Sequence, residues 1–177
     1  MHIGWTPPPH GFFKLNINGS VRNNPGDACA GGIIRDSHGR WISSCTKKIG
    51  RTHSMVTELW GLRDGLTLAR NLNIRKLLVE VDASVVANFF STESSVHDTT
   101  HPFSAIIIDC KSLLLLFEEV HITHIHREGN HCADLLAKEG HRSHFDFVIH
   151  PHPPACIMYQ LMADSWGIVY PSLCNHC

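Results

Sequence analysis

The hydrophobic period of this chain changes once, after residue 47, and that change limits the possible folds more than any other feature. Before it, three runs with strand-like spacing follow one another: 12–18, 28–35 and 41–47. The second is entered through Asn23-Asn24-Pro25-Gly26. The tight-turn triplet Ser37-His38-Gly39 separates the last two, which therefore form an antiparallel hairpin. After the change, residues 55–72 set Leu59, Leu62, Leu66 and Ala69 on one helical face, with Trp60 beside them and Ser54 as candidate cap. A strand at 77–81, a helix at 84–90, a polar loop at 91–101 and a helix at 103–117 come next. A strand at 120–125, with His121 and His124 interleaved, and a helix at 130–140 with Asn130 as its cap complete the order βββαβααβα. This order predicts an α/β fold: a mixed five-stranded sheet, three antiparallel strands and then two parallel ones, flanked by helices and joined by right-handed crossovers.

A length of 177 residues suits one domain. The proline-rich stretch 1–11 reads as a lead-in, 12–141 as the domain, and 142–177 as a carboxyl extension that packs on it. No apolar run approaches the ~18 residues of a membrane span. The four leucines within 112–117 fit a buried helix turn. The first residues lack the basic-then-apolar pattern of a secretory signal, so an intracellular monomer is expected, with nucleus and cytoplasm left open. A net charge of −1 excludes the strongly basic class of nucleic-acid binders. The 15 histidines add positive charge only in mildly acidic solution. Of seven cysteines, Cys29, Cys45, Cys110 and Cys132 lie in apolar segments and read as small core residues. Cys174 and Cys177 form a single C-x-x-C around His176, which is weak evidence for zinc without a second pair.

In KLNINGS (14–20), Leu15 and Ile17 point one way, Lys14, Asn16 and Asn18 the other, and Gly19 ends the run. Asn18 thus closes the first strand and Asp82 the fourth. Glu58 and Asp134 fall in the first turns of the long and the last helix. With the first strand central, its carboxyl end neighbours that of the fourth, and helices starting on that edge approach both. Carboxylates gathered in one pocket repel unless a cation neutralises them, and hard oxygen ligands suit Mg²⁺ or Mn²⁺. Paired ions of that kind serve in-line phosphodiester hydrolysis.

The segments KLNINGS (14–20), NNPGDACAGGIIRDSHGRWI (23–42), TELWGLRDGL (57–66), LLVEVDASVV (77–86) and HREGNHCADLLAKEG (126–140), in this order and spacing, resemble a plant ribonuclease H–like domain. The type is the reverse-transcriptase-like one of non-LTR retroelements. HPPACIMYQLMADSWGIVYPSL (152–173) is similar to that group's carboxyl extension, and the opening WTPPPHG to the junction before the domain in longer retroelement proteins. The resemblance implies a ribonuclease H-like fold and a metal-dependent endonuclease that cuts the RNA strand of an RNA–DNA hybrid. It places the metal-binding and catalytic quartet on Asn18, Glu58, Asp82 and Asp134. The family carries Asp where this chain has Asn18. An amide carbonyl can ligate but brings no formal charge, so hydrolysis should be severely weakened. Two alternatives stand beside a weakened enzyme: a non-catalytic module that binds RNA–DNA hybrid or duplex RNA, and an inactive retroelement remnant.

Each remaining signal also has a plain reading. Asn23-Asn24-Pro25-Gly26 is a turn; the resemblance makes Asn24 a candidate contact to minor-groove 2′-hydroxyls. His126, Arg127 and His131 read as solvated loop residues, although the resemblance gives a histidine near here a proton-shuttling or product-releasing role. Trp5, Phe12 and Phe13 read as packing rather than a base-stacking platform. Met158, Leu161 and Met162 should lie against the sheet or a helix. The Asn18-Gly19 pair is a sequence for deamidation, which would restore Asp or yield isoaspartate; a rigid strand end suppresses it.

Overall fold

The computed structural model describes residues 1–91 and 102–172. Most of the loop expected over 91–101, and the Cys174/Cys177 pair, lie outside the described residues. The elements in chain order are β1 (His2–Ile3), β2 (Phe13–Arg22), β3 (Gly26–Arg35), β4 (Trp41–Thr52), α1 (Ser54–Asn71), β5 (Lys76–Val81), α2 (Ser84–Phe89), α3 (Ser104–Leu114), β6 (Glu119–His124), α4 (His131–Gly140), β7 (Phe147–His150), α5 (Met158–Ser165) and β8 (Tyr170–Pro171). Single 3₁₀ turns, Arg127–Gly129 and Ala155–Ile157, lead into α4 and α5.

The main sheet has the order β6-β5-β2-β3-β4-β7. β2, β3 and β4 are antiparallel neighbours, and β5 and β6 run parallel to β2. The sheet has six strands where five were expected. β7, from the carboxyl extension, pairs antiparallel with β4 through Ser44↔His150 to Lys47↔Phe147. The four residues FVIH are too short to announce a strand, yet they cover the open edge that β4 would otherwise present. β2 also passes through Gly19 and ends at Arg22. Glycine is needed there because α1 crosses so closely that a Cβ would lie 2.8 Å from Thr57 Cγ2.

The period-2 pattern separates two cores. Leu15, Ile17, Leu77 and Val79 pack with Leu59, Leu62 and Leu66 of α1 and with Ile107 and Cys110 of α3. On the opposite face, Ile33 meets Cys132, Ala133 and Leu136 of α4 and Ile157. α4 lies against β3 at Gly31, where any Cβ would collide with Leu136 and the Ala137 backbone. Cys29, Cys45, Cys110 and Cys132 are free and buried.

Several local expectations are corrected. α3 stops at Leu114, and Leu115 and Leu116 are exposed, so the leucine run is only partly core. Leu161 packs on the second core, but Met158 and Met162 remain half exposed. Ser54 is the first helical residue of α1 rather than its cap. The cap position is His53, which makes no side-chain cap bond, and the Ser54 N–H donates to Asn24 Oδ1 at 3.1 Å instead. Asn130 does hold the cap position of α4, but its Nδ2 donates to the Ile17 carbonyl at 2.8 Å. Helix starts leave orphan donors that any nearby acceptor can serve, and here the acceptor for α1 comes from a distant loop.

A buried polar layer joins the lead-in, the sheet and the carboxyl extension. Arg35, 1% exposed, donates from Nη1 to Asp164 Oδ2 at 2.6 Å and from Nη2 to Asn16 Oδ1 at 3.1 Å. Its guanidinium lies 3.7 Å from the centroid of Trp5, whose Nε1 also donates to Asn16 Oδ1. Asn16 Nδ2 and Lys14 Nζ both donate to Glu80. Trp5 is therefore packing, and it roofs a cation. Removing one partner of a buried ion pair leaves the other uncompensated, a loss of about 3–5 kcal/mol. Asp164→Ala should lower unfolding free energy in urea by about that amount, whereas Arg35→Met with Asp164→Leu should lose much less. Equal losses would show that packing volume, not the orphaned charge, dominates.

Candidate active site

β2 and β5 lie side by side and parallel, with Ile17 opposite Val81, so Asn18, still within β2, and Asp82, just past the end of β5, stand at the same level of the sheet. α1 brings Glu58 over Gly19, and α4 brings Asp134 to the other side of Asn18. Asn18, Glu58 and Asp82 line one cleft of about 300 Å³. Asn18, Asp82 and Asp134 line an adjoining one of about 370 Å³. Arg127 borders both.

Each acidic group has a different environment. Glu58 is almost fully buried; its Oε1 accepts the Gly19 N–H at 2.8 Å, and its Oε2 has no partner. Burial first, and then the charge on Asp82, push its carboxyl up to about 8. Burial likewise raises Asp82, while Arg127, with Nε 3.6 Å from Asp82 Oδ2, pulls the other way. Asp134 is half exposed and paired one helical turn along α4 with Lys138, Nζ to Oδ2 at 2.6 Å.

Asn18 is held by groups of opposite polarity. The Gly19 N–H can only donate, so Asn18 Oδ1 faces it at 2.8 Å, and Nδ2 donates to Asp134 Oδ1 at 3.3 Å. A carboxylate here would set an oxygen anion against Asp134. The amide supplies a hydrogen where a carboxylate would add a like charge.

The donor chemistry fits a hard divalent ion: three carboxylates, with the buried Glu58 Oε2 lacking any partner. The arrangement is not drawn tightly together. Among the described residues, no three His, Cys, Asp or Glu side chains form a ready-made metal cluster. Arg127 and Lys138 already stand beside Asp82 and Asp134.

The other sequence candidates are more dispersed. Asn24, on the exposed turn, spends its amide on Ser54 at the start of α1. His131 lines the second cleft and packs edge-on against Tyr170, ring centroids 4.8 Å apart; His126 meets His124 edge-on at 5.6 Å. Lys138 escaped the sequence reading, although its i,i+4 spacing from Asp134 was visible. Gly19 interrupts no strand, and its extended, hydrogen-bonded backbone opposes the cyclisation that deamidation needs.

Glu58 yields a pH prediction. A folded-state pKa above the ordinary value of 4.5 means that the folded chain keeps a proton the unfolded chain releases. The associated stability is complete below about pH 4.5 and is lost as pH rises through about 8. Glu58→Gln should give melting temperatures that decline less across this window than the parent's, measured without divalent metal. Parallel curves would mean that Glu58 ionises freely in the folded state.

The Reverse transcriptase-like family model matches residues 16–140. An Arabidopsis thaliana protein that carries a ribonuclease H name is 34% identical over 169 residues, 96% of this chain, and the chain spans 27% of that relative's length. Among solved structures, RNase H1 from the archaeon Halobacterium salinarum is 25% identical with a TM-score of 0.67, covering 74% of this chain and 98% of that one. The N-terminal RNase H domain of a Mycobacterium tuberculosis protein is 26% identical with a TM-score of 0.68, covering 73% and 92%. LC11-RNase H1, solved in complex with an RNA/DNA hybrid, is 22% identical with a TM-score of 0.64, covering 72% and 94%, and supports the fold alone. With the model spanning most of its length and these folds superposing on it, the chain belongs to the reverse transcriptase-like family and has the ribonuclease H-like fold.

Proposed function

We propose that this chain is a monomeric nucleic-acid-binding domain that lays an RNA–DNA hybrid, or duplex RNA, across the Asn18–Asp134 cleft, and that its metal-assisted hydrolysis of the RNA strand is held far down by Asn18. The observation that carries this proposal is the meeting of Glu58, Asp82 and Asp134 around Asn18 at one sheet end. The names of the ribonuclease H relatives point to the same substrate class.

Glu58, Asp82 and Asp134 would hold Mg²⁺ or Mn²⁺, with Asn18 as a weakened fourth ligand. Held there, such an ion would supply charge neutralisation for the acidic cluster and Lewis-acid polarisation for phosphodiester hydrolysis. The chain's own part is positional. Gly19 fixes Glu58 through its N–H, Lys138 steadies Asp134, and Arg127 at the cleft mouth offers a cation to the incoming phosphate backbone. Asn24, beside the start of α1, is proposed as the minor-groove contact to 2′-hydroxyls.

Asn18 weakens this device twice. It removes one negative charge from the ligand set, and it points a hydrogen donor at Asp134. A barrier increase of several kcal/mol, at ~1.4 kcal/mol per decade, corresponds to a rate loss of orders of magnitude.

The deciding experiment compares the parent with Asn18→Asp on a labelled hybrid in Mg²⁺ and in Mn²⁺. Parent cleavage should be very slow and Asn18→Asp should exceed it at least ~100-fold, about 3 kcal/mol of barrier. An Asn18→Asp chain that binds hybrid but does not cut it would overturn the enzyme reading and leave a binding module; absence of hybrid binding at low salt would overturn both. In a separate measurement, Asn18→Asp should melt lower than the parent without metal and gain more on adding Mg²⁺, because it sets two carboxylates face to face. Equal gains would mean that residue 18 does not touch the ion.

A further inference from the structure

A second notch opens on the α4 side of the sheet, beyond the cleft. Its position follows from the ladder. Ser20 of β2 lies opposite Cys29 of β3, and Cys29 opposite Lys48 of β4. Two pairs further out, on the same face, Arg22 lies opposite Asp27. The end of α4 rests on this row, since a Cβ on Gly140 would lie 2.9 Å from Cys29 Cβ. Arg22, Asp27, Cys29, Lys48 and His141 wall a space of about 160 Å³. That is below the ~300–1,000 Å³ of ordinary small-molecule pockets, and it suits one charged group.

Three observations give the notch its character. First, among the described residues Arg22 and Lys48 make no ion pair and no side-chain hydrogen bond, unlike most cations of this chain. Against the single carboxylate of Asp27 they leave the space net positive. Second, His141 cannot serve as the ligand. Its Nδ1 meets Cys29 Sγ at 3.5 Å and its Nε2 meets Ser20 Oγ at 3.1 Å, so it is a fixed wall. Burial, then Arg22, lower the pKa of its imidazole. Third, the ladder is irregular here: Cys29 faces Lys48 but Ala28 faces Gly50, so Ile49 is an extra residue and Gly50 takes φ +89°. A bulge of this kind re-aims the adjacent side chain, here Lys48.

We propose that Arg22 and Lys48 form a phosphate subsite that holds a backbone phosphate of the nucleic acid crossing the cleft. Asn18, Ser20 and Arg22 share one face of β2, and Ser20 borders the cleft while its hydroxyl touches His141 in the notch. Four residues at ~3.3 Å each put Arg22 about 13 Å beyond Asn18, within about four nucleotide rises of ~3.4 Å. The subsite explains how a chain of net charge −1 can grip a polyanion: the positive charge is local.

This inference rests on the nucleic-acid-binding proposal, and the test separates the two. Hybrid affinity is measured against salt concentration for the full chain, for Arg22→Ala with Lys48→Ala, and for Arg40→Ala with Arg75→Ala, which removes the same charge from exposed positions elsewhere. The notch variant should lower the slope of log affinity on log salt by about 1–2, with the control unchanged and both melting like the parent. An unchanged slope in the notch variant, or an equal fall in both, overturns the subsite and leaves hybrid binding intact. If the parent binds no hybrid, the broader proposal fails. The notch is then judged by titrating inorganic phosphate while following the His141 imidazole by NMR. A saturating shift, absent in the notch variant, supports an anion site; no shift overturns it.

Discussion

Mutual repulsion among Glu58, Asp82 and Asp134 is the constraint around which this sheet end is arranged. Three acids brought together by two strands and two helices are unstable unless something opposes their charge. The fold opposes it piecemeal. Glu58 is buried to the point of favouring its proton, Asp82 has Arg127 nearby, Asp134 has Lys138, and Asn18 offers an amide hydrogen where a fourth acid would add to the strain. The Asn18 amide therefore relaxes a cluster that a fourth carboxylate would strain.

The scaffold leaves these residues little freedom. Parallel pairing of β2 with β5 fixes the offset between Asn18 and Asp82. Close passage of α1 over Gly19 and of α4 over Gly31 sets how near Glu58 and Asp134 can come. Both glycines act by lacking a side chain, so the site depends on atoms that are absent from the sequence as much as on the acids themselves. The Asn130 amide, bonded to the Ile17 carbonyl one residue before Asn18, locks the start of α4 to the same strand.

Much of this was legible because period and order are strong signals. The alternation in 14–18 identified the buried side of β2, and the spacing of Leu59, Leu62 and Leu66 identified the buried side of α1. What was not legible were features decided by partners far away in sequence. FVIH joins the sheet only because β4 offers it an edge. Ser54 looked like a cap, but Asn24 reaches the helix start first. Leu115 and Leu116 read as core from composition, yet α3 ends before them and they face outward. Nothing near Arg35 in the sequence announces its partner Asp164, 129 residues away. Lys138 lies one helical turn from Asp134, a spacing that local sequence does carry.

The short ladder between β1 and β8 pairs His2 with Pro171 and Ile3 with Tyr170, and the Ser172 N–H donates to the Met1 carbonyl at 2.8 Å. Residues at opposite extremes of the described chain thus lie side by side. Units whose entry and exit coincide can be set into a host polypeptide like a bead on a loop, without prising the host's own segments apart. Joining those two ends with a brief linker and opening a surface turn elsewhere should likewise give a permuted chain that keeps the same sheet.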